Sequence, residues 1–305
     1  MLSIGVQTWG TDVAALERYW NAADDLGYAR ITYGDGLGDF THDGFTMLGA
    51  LATLTRRARI GPAVTYAFSA SSHHPSWLAK RAVTVDHLSG GRFDLRLGIG
   101  AEDAATARAW AAHGIAYPAA AERIETVAES IEIMRRLWTT RGPVDHRGAR
   151  YTLRGARLEP PPVQQPGPPV WIAAMGPRAL ACAARCADGW EASYVSPADF
   201  ATRWKTLGRL LQDEGRAAET FRRSVELDAI VTDGDPAPWL ERFCAARGVG
   251  RAHPLLDTVV TGDRTAIAAR LADYEAAGAT DLMLGFVDFP ETEMLEAFAA
   301  AALGK

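Results

Sequence analysis

The sequence has few cysteines, no clean apolar run of membrane length, no concentration of positive charge and none of the commoner hydrolase signatures. Cys182, Cys186 and Cys244 are the three cysteines in 305 residues. A low, odd count argues against a disulfide framework and fits a reducing compartment. The longest stretch without Asp, Glu, Lys or Arg runs from Ile60 to Ala79 and matches a bilayer in length. It carries Pro62, Pro75, His73, His74 and four serines, so its backbone cannot be satisfied in lipid. Met1 to Gly10 lacks the cationic region and long apolar core of a signal peptide. A cytoplasmic location with no membrane partner is expected. Lys and Arg number 32 against 37 Asp and Glu, a net charge of −5 spread along the chain. A nucleic-acid surface needs clustered cations to displace counterions, so no nucleic-acid partner is expected. No Gly-x-Ser-x-Gly elbow, P-loop or His-Glu-x-x-His motif occurs, which removes the commonest hydrolase and nucleotide-hydrolase readings.

What is present reads as a globular α/β chain. It is 48% hydrophobic and 23% charged, close to the globular average, which excludes disorder, coiled coil and collagen. Short apolar runs alternate with longer amphipathic ones. Strands are expected at Ser3–Thr8, Ala29–Tyr33, Arg59–Tyr66, Phe93–Ile99, Val170–Ala173, Gly189–Tyr194, Ser224–Val231 and Asp281–Phe286. Each is followed by a helical segment. The clearest is Glu122–Trp138, with Ile124, Val127, Ile131, Met134, Leu137 and Trp138 on one face. Residues 141–169, rich in Gly, Pro and Arg, break this rhythm and suit an insertion with a small hairpin around Gly148. Because βα units resume directly afterwards, we expect a single domain over 1–305. Eight βα units predict a (β/α)8 TIM barrel with an insertion between strands 4 and 5. An open doubly wound sheet is the alternative, and the seventh strand, interrupted by Asp228, is the weakest element.

In a barrel, chemistry belongs at the C-terminal ends of the strands. Gly98-Ile99-Gly100 there lets a ligand approach the backbone or simply makes a tight turn. A dinucleotide fingerprint is disfavoured, because Asp103 occupies the third glycine position and would face the pyrophosphate. Ala174-Met175-Gly176-Pro177-Arg178 ends a strand and opens a helix. It is either an ordinary βα turn or a phosphate site made of free N–H groups, the helix dipole and the Arg178 charge. His73 and His74 precede Pro75, and each titrates near neutrality in its ordinary state. Adjacent histidines diverge, so a proton donor or a helix cap is expected here and no metal site. Asp94 and Arg96 share one face of strand four and suit a structural ion network. Cys182 and Cys186, at i and i+4 on a helix, read as small core residues. The rim aromatics Trp9, Tyr33, Tyr66, Phe68, Tyr194 and Phe286 suit either a planar ligand or the core.

His74-Pro75, Ala79-Lys80 and Asp86-His87-Leu88-Ser89-Gly90-Gly91-Arg92, leading into Gly98-Ile99-Gly100, resemble the bacterial luciferase-like monooxygenase superfamily. The similarity continues through Glu122-Arg123, Leu137-Trp138, Ala187-Asp188-Gly189-Trp190 and Glu275-Ala276-Ala277-Gly278-Ala279, covering nearly the whole chain. The resemblance implies an oxidoreductase on a TIM barrel that uses reduced coenzyme F420, with FMN as the alternative cofactor. It implies a small-molecule substrate, a separate reductase supplying the reduced cofactor and a homodimer. A monooxygenase or a non-catalytic flavin-binding relative are the alternative functions. Carried onto this chain, the cofactor regions map to Asp35, Thr65, Gly98, Gly100 and the turn Ala174, Met175, Gly176, Pro177 and Arg178. Thr65 meets the ring edge, Trp190 walls the pocket, and His73, His74 or Asp35 moves the proton. A non-proline cis peptide is expected near Tyr66. Two departures stand out: Asp35-Gly36 where many deazaflavin-dependent relatives carry Asp-His, and Arg96 where glycine is usual.

Overall fold

The computed structural model describes residues 2–37, 40–68, 73–102 and 104–304; Asp103 and residues 69–72 of the loop after the third strand lie outside them. In chain order the elements are β1 (Ser3–Thr8), α1 (Val13–Leu26), β2 (Arg30–Tyr33), α2 (Gly44–Leu54), β3 (Arg59–Pro62), α3 (Pro75–Leu88), β4 (Leu95–Gly98), α4 (Ala104–Ala112) and α5 (Ala120–Thr139). There follow β5 (Val144–Arg147), β6 (Thr152–Ala156), β7 (Val170–Ala173), α6 (Pro177–Cys186), β8 (Gly189–Ser193), α7 (Pro197–Asp213), β9 (Arg222–Val231) and α8 (Ala237–Arg247). A 3-10 turn (Pro254–Thr258), β10 (Val260–Gly262), α9 (Arg264–Ala276), β11 (Asp281–Phe286) and α10 (Glu293–Ala302) complete the chain. Eight strands pair in parallel in the order β3-β2-β1-β11-β9-β8-β7-β4. Bridges Ile60–Phe93 and Thr65–Leu97 join β3 to β4 and close the ring. The expected barrel is the observed fold.

Local chemistry explains the element boundaries. Asp12 caps α1, accepting from the Ala15 N–H at 3.0 Å, and Gly27 ends it in the left-handed region at φ 88°. Ser196 caps α7 and Asp263 caps α9 in the same way, each accepting an amide three residues on. On α5, Val127, Ile131, Met134, Leu137 and Trp138 are buried, the face that the periodicity predicts. Between β4 and β7, β5 and β6 form an antiparallel hairpin against α5, where Glu129 accepts from the Arg150 and Tyr151 amides. The end of this insertion is tied to α3, since Asp86 accepts from the backbone of Val163 and Gln164 and from the Gln164 side chain.

The seventh barrel strand is the main correction. β9 runs ten residues and is the longest strand, with Asp228 inside it. Asp228 does not interrupt the strand because Arg247 of α8 reaches it with two contacts, at 2.6 and 2.9 Å, which satisfies a buried carboxylate. The third strand is shorter than expected, ending at Pro62, and the non-proline cis peptide is Ala63–Val64, upstream of Tyr66. The short strand β10, which pairs with the end of β9, carries no alternating pattern long enough to be read from sequence.

Charge fills the barrel axis from its N-terminal end. Asp281 of β11 pairs with Arg30 of β2 and with Arg222 of β9. Arg30 also meets Asp94 at 3.1 Å, and Asp94 is clamped by Arg59 at 2.5 Å. Next to this layer, two guanidinium groups approach the Trp171 ring, Arg30 at 5.2 Å and Arg96 at 4.6 Å from its centroid. Arg96 pairs with Glu191, two strands away, which also accepts from Ser224 at 3.0 Å. Asp94 and Arg96 therefore belong to two separate ionic layers rather than to one pair.

Burial pushes the Asp281 carboxyl upward, but Arg30, Arg222 and Thr280 outweigh it and hold it below the ordinary carboxylate value. Such a group stabilises the fold above its unfolded pKa, and the contribution is lost as pH falls through the folded value. Asp281→Asn leaves Arg30 short of a charge partner and is expected to lower the unfolding free energy by ~3–5 kcal/mol. Urea denaturation at neutral and acidic pH checks this: the gap between wild type and variant should narrow as the pH is lowered.

Candidate active site

A cavity of about 720 Å³ opens at the C-terminal ends of the strands, within the ~300–1,000 Å³ range of small-molecule sites. It extends from the barrel interior, where Glu191 and Glu226 line it, past Ala63 and Val64 after β3, to the starts of α5 and α6. Four consecutive barrel strands, β3, β4, β7 and β8, meet there with β9. This is the side of the ring away from α1 and α10.

One wall is the turn after β4. Gly100 sits at φ 84°, and a Cβ there would lie 2.4 Å from the Tyr117 hydroxyl, so a side chain is excluded by both backbone and space. The turn is held by Arg123, a buried residue of α5. Its Nε donates to the Ile99 carbonyl at 2.7 Å, Nη1 to Pro118 at 2.6 Å, and Nη2 to Gly100 and Ala101 at 3.3 and 3.1 Å. The guanidinium also lies 4.3 Å from the Tyr117 ring centroid. A single cation thus gathers four carbonyls and fixes the wall of the cavity.

The adjoining wall is Ala174–Ala179. α6 begins at Pro177 with no side-chain cap, so its first-turn amides have no side-chain acceptor. Gly176, Pro177, Arg178 and Ala179 all line the cavity, and space beside Gly176 is open. Uncapped amides, the positive end of a helix dipole and a guanidinium on one wall form an anion-favouring surface.

The floor holds two carboxyls. Glu226 lies between the hydroxyls of Ser193, 2.9 Å from Oε2, and Tyr194, 3.0 Å from Oε1. Burial pushes its pKa up and the neighbouring Glu191 charge pushes it further, while hydrogen bonds from Ser193, Tyr194 and Gln7 act in the opposite direction and do not prevail. The Tyr194 hydroxyl in turn accepts from Arg247 at 2.8 Å.

The residues singled out from sequence divide into two groups. Gly98, Gly100, Ala174, Met175, Gly176, Pro177 and Arg178 converge on the cavity, whereas Thr65, Asp35, His73, His74 and Trp190 are not among its lining residues. Asp35 joins two loops: it accepts from the Thr65 hydroxyl at 2.5 Å and from the Gly44 amide at 3.2 Å, with His73 Nε2 at 3.7 Å. His74 caps α3, its Nδ1 accepting from the Ser76 amide at 3.2 Å, and its ring meets Tyr151 edge-on at 5.1 Å. Burial lowers its pKa, which favours the neutral ring that a cap requires. Trp190 stands behind the wall and not in it: the ring is stacked on Phe200 and Nε1 donates to the Ala174 carbonyl at 2.7 Å. Of the rim aromatics only Tyr66 lines the cavity, while Tyr33, Phe68 and Phe286 are core. Cys182 and Cys186 are free thiols with Sγ atoms 3.7 Å apart. No cluster of three metal-ligating side chains occurs among the described residues, and no helix among them is long and apolar enough to cross a membrane.

Sequence reading gave no role to Glu191, Glu226 or Arg123. For the first two the available signal was an acidic residue inside an apolar strand, at β8 and β9. For Arg123 it was a cation on the apolar stripe of α5.

The model of the luciferase-like monooxygenase family matches residues 3–281. A protein of Mycobacterium tuberculosis assigned by name to the coenzyme F420-dependent oxidoreductases is 29% identical over 224 residues, 70% of this chain and 61% of that protein. The phthiodiolone/phenolphthiodiolone dimycocerosates ketoreductase of Mycobacterium kansasii is 31% identical over 58% of this chain and 46% of its own length. The chain thus spans about half to three fifths of the curated relatives it matches. Among solved structures, an F420-dependent secondary alcohol dehydrogenase in complex with an F420-acetone adduct superposes with a TM-score of 0.86 at 16% identity, covering 99% of both chains. That likeness concerns the fold. The chain belongs to the luciferase-like monooxygenase family.

Arg123→Met keeps most of the side-chain length and removes the donors to four carbonyls. It is expected to destabilise by ~2–3 kcal/mol, the scale of lost hydrogen bonds to a charged group. Hydrogen exchange should accelerate at the Ile99–Ala101 amides while β1 and β11 remain protected. Unchanged exchange at this turn would show that Arg123 does not hold it.

Proposed function

We propose that this member of the luciferase-like family is an oxidoreductase that binds a phosphorylated deazaflavin of the F420 type in the cavity at the strand C-termini and reduces or oxidises a small organic substrate beside it. The observation that carries this reading is one cavity whose two ends differ in chemistry. An anion-favouring wall at Gly176–Ala179 lies at the mouth, and a carboxyl-lined floor lies at the barrel interior.

The residues fit the group. The volume suits a ligand of flavin size, space beside Gly176 is open, and the uncapped amides of α6 with Arg178 suit a phosphate. The Gly98–Ala101 turn and the Ala63–Val64 segment supply walls without bulky side chains, against which a planar ring can lie close to backbone. Trp190 braces the Ala174 carbonyl from behind, so the wall keeps its shape as a ligand enters. The bound cofactor, reduced by a separate reductase, supplies two electrons as hydride. The protein positions the substrate against it, and the closed side of the barrel limits water. Support comes from the relative assigned by name to F420-dependent oxidoreductases and from the dehydrogenase fold match.

Fluorescence titration with reduced and oxidised F420, FMN and riboflavin tests the reading. Tight binding of F420 with weak binding of FMN is expected, and Arg178→Ala should weaken phosphate-bearing ligands by about tenfold, the scale of one charge-assisted contact. Riboflavin, which lacks the phosphate, should bind the variant and wild type alike. Tight binding of FMN alone would instead favour the flavin monooxygenase reading, in which a member of this fold in complex with FMN is a Baeyer-Villiger monooxygenase.

A further inference from the structure

We propose that Glu226 is the proton donor of this site, a neutral carboxyl on the cavity floor that protonates the oxygen or nitrogen of a C=O or C=N bond as hydride reaches its carbon. This rests on the redox reading above and goes beyond it by naming the acid and the substrate class.

The argument begins with placement. Glu226 lines the cavity at its inner end, whereas Asp35, His73 and His74 are absent from the lining and are engaged in holding loops or capping a helix. It continues with charge. Glu191 of β8, which also lines the cavity, is committed to Arg96 of β4, a buried guanidinium that would otherwise be an isolated cation. Its negative charge beside Glu226 disfavours a second carboxylate there, the logic by which two neighbouring acids take different protonation states. The other groups facing Glu226 do not neutralise it. Tyr194 and Ser193 are uncharged hydroxyls, Tyr66 is a phenol after β3, Gln7 of β1 is an amide, and β11 offers Met283 at the paired position. The nearby cation, Arg247 of α8, spends its charge on Asp228 and reaches Glu226 only through the Tyr194 hydroxyl. Tyr194 donates to Glu226 and is itself held by the partly exposed Arg247, so the carboxyl keeps its place on the floor.

The step balances. Hydride from the reduced deazaflavin forms a C–H bond at the carbonyl or imine carbon, the C=X π pair moves onto X, and the Glu226 proton forms X–H. The substrate gains two electrons and two hydrogens, the cofactor is oxidised by two electrons, and Glu226 is left as a carboxylate to be reprotonated from solvent. In the reverse direction that carboxylate removes the proton from an alcohol or amine.

Two measurements test this. In cofactor-free protein, pH-difference infrared spectra should contain a protonated carboxyl band that is lost in Glu226→Gln and titrates above the ordinary glutamate pKa of about 4.3. In the double variant Arg96→Met/Glu191→Gln the like charge is gone, and the midpoint should move down. Because Asp228 and Asp288 are also raised by burial, the readout is the difference between wild type and Glu226→Gln: identical carboxyl bands in the two, or a lost band that titrates in the ordinary range, overturns the proposal. With reduced F420 and a panel of ketones, aldehydes and imines, Glu226→Gln should lower kcat by about 10²-fold, the lower end for general acid catalysis. The cofactor Kd should stay within about twofold. Wild-type kcat should fall as the pH rises through the Glu226 pKa, because the donor must be protonated, and this limb should be absent from the variant. Glu226→Asp should restore part of the rate. Full activity and an unchanged pH limb in Glu226→Gln would overturn the inference alone, while failure of wild type to bind F420 would overturn the redox reading and this proposal together.

Discussion

The structure depends on the pairing of charge along the barrel axis. Small barrels are usually filled by apolar side chains in layers. Here Arg30, Asp94 and Asp281 form one layer, Trp171 the next and Arg96 with Glu191 a third. Each ion would be costly alone. The layers are tolerable because every carboxylate meets at least one guanidinium and the Trp171 ring lies within cation–π range of both Arg30 and Arg96. Such a core is sensitive to geometry in a way that an apolar one is not. Removing one partner exposes the full desolvation cost of the other, so strand register on both sides of the ring is strongly specified.

That requirement passes outward to the cavity. Arg96 and Glu191 stand on strands separated only by β7. Their pairing fixes β4, β7 and β8 relative to one another, and these strands carry the two walls. The walls are then finished by two buried side chains that act on backbone. Arg123 collects the carbonyls after β4, and Trp190 braces the one after β7. Both act on backbone, so main chain and small residues shape much of the cavity, with Arg178 on one wall and Glu191 and Glu226 at the floor.

Much of the fold was legible in the sequence because strand and helix periods differ and capping residues are local. The helix α6 begins at Pro177 and ends at Cys186, and α3 begins at Pro75, as punctuation by proline requires. The turn residues of the site were legible for the same reason: glycine and proline report backbone conformation directly. What was not legible depends on three-dimensional pairing. Asp228 looked like a break in the seventh strand because its partner, Arg247, lies on the following helix. His73 and Asp35 looked available because chemistry-bearing residues next to glycines resemble a site, and nothing local reveals that Asp35 serves to join Thr65 to Gly44. Glu226 was passed over because an acid in an apolar strand reads equally as an ion-pair partner or a working group. Only its neighbours decide between them.

Arg96 illustrates how one buried residue redistributes the rest. Arginine at this strand position fills the axis and requires an anion within reach. Glu191 meets the requirement, and in doing so it brings a fixed negative charge to the cavity floor. The second carboxyl there, Glu226, then sits where burial and like charge both oppose its ionisation. The hydroxyls of Ser193 and Tyr194 hold it in place without adding a positive charge to reverse that balance. The cation that packs the barrel thus brings a counter-ion whose charge adds to burial in raising the pKa of the carboxyl on the cavity floor. Core packing and site chemistry are coupled by that single pair.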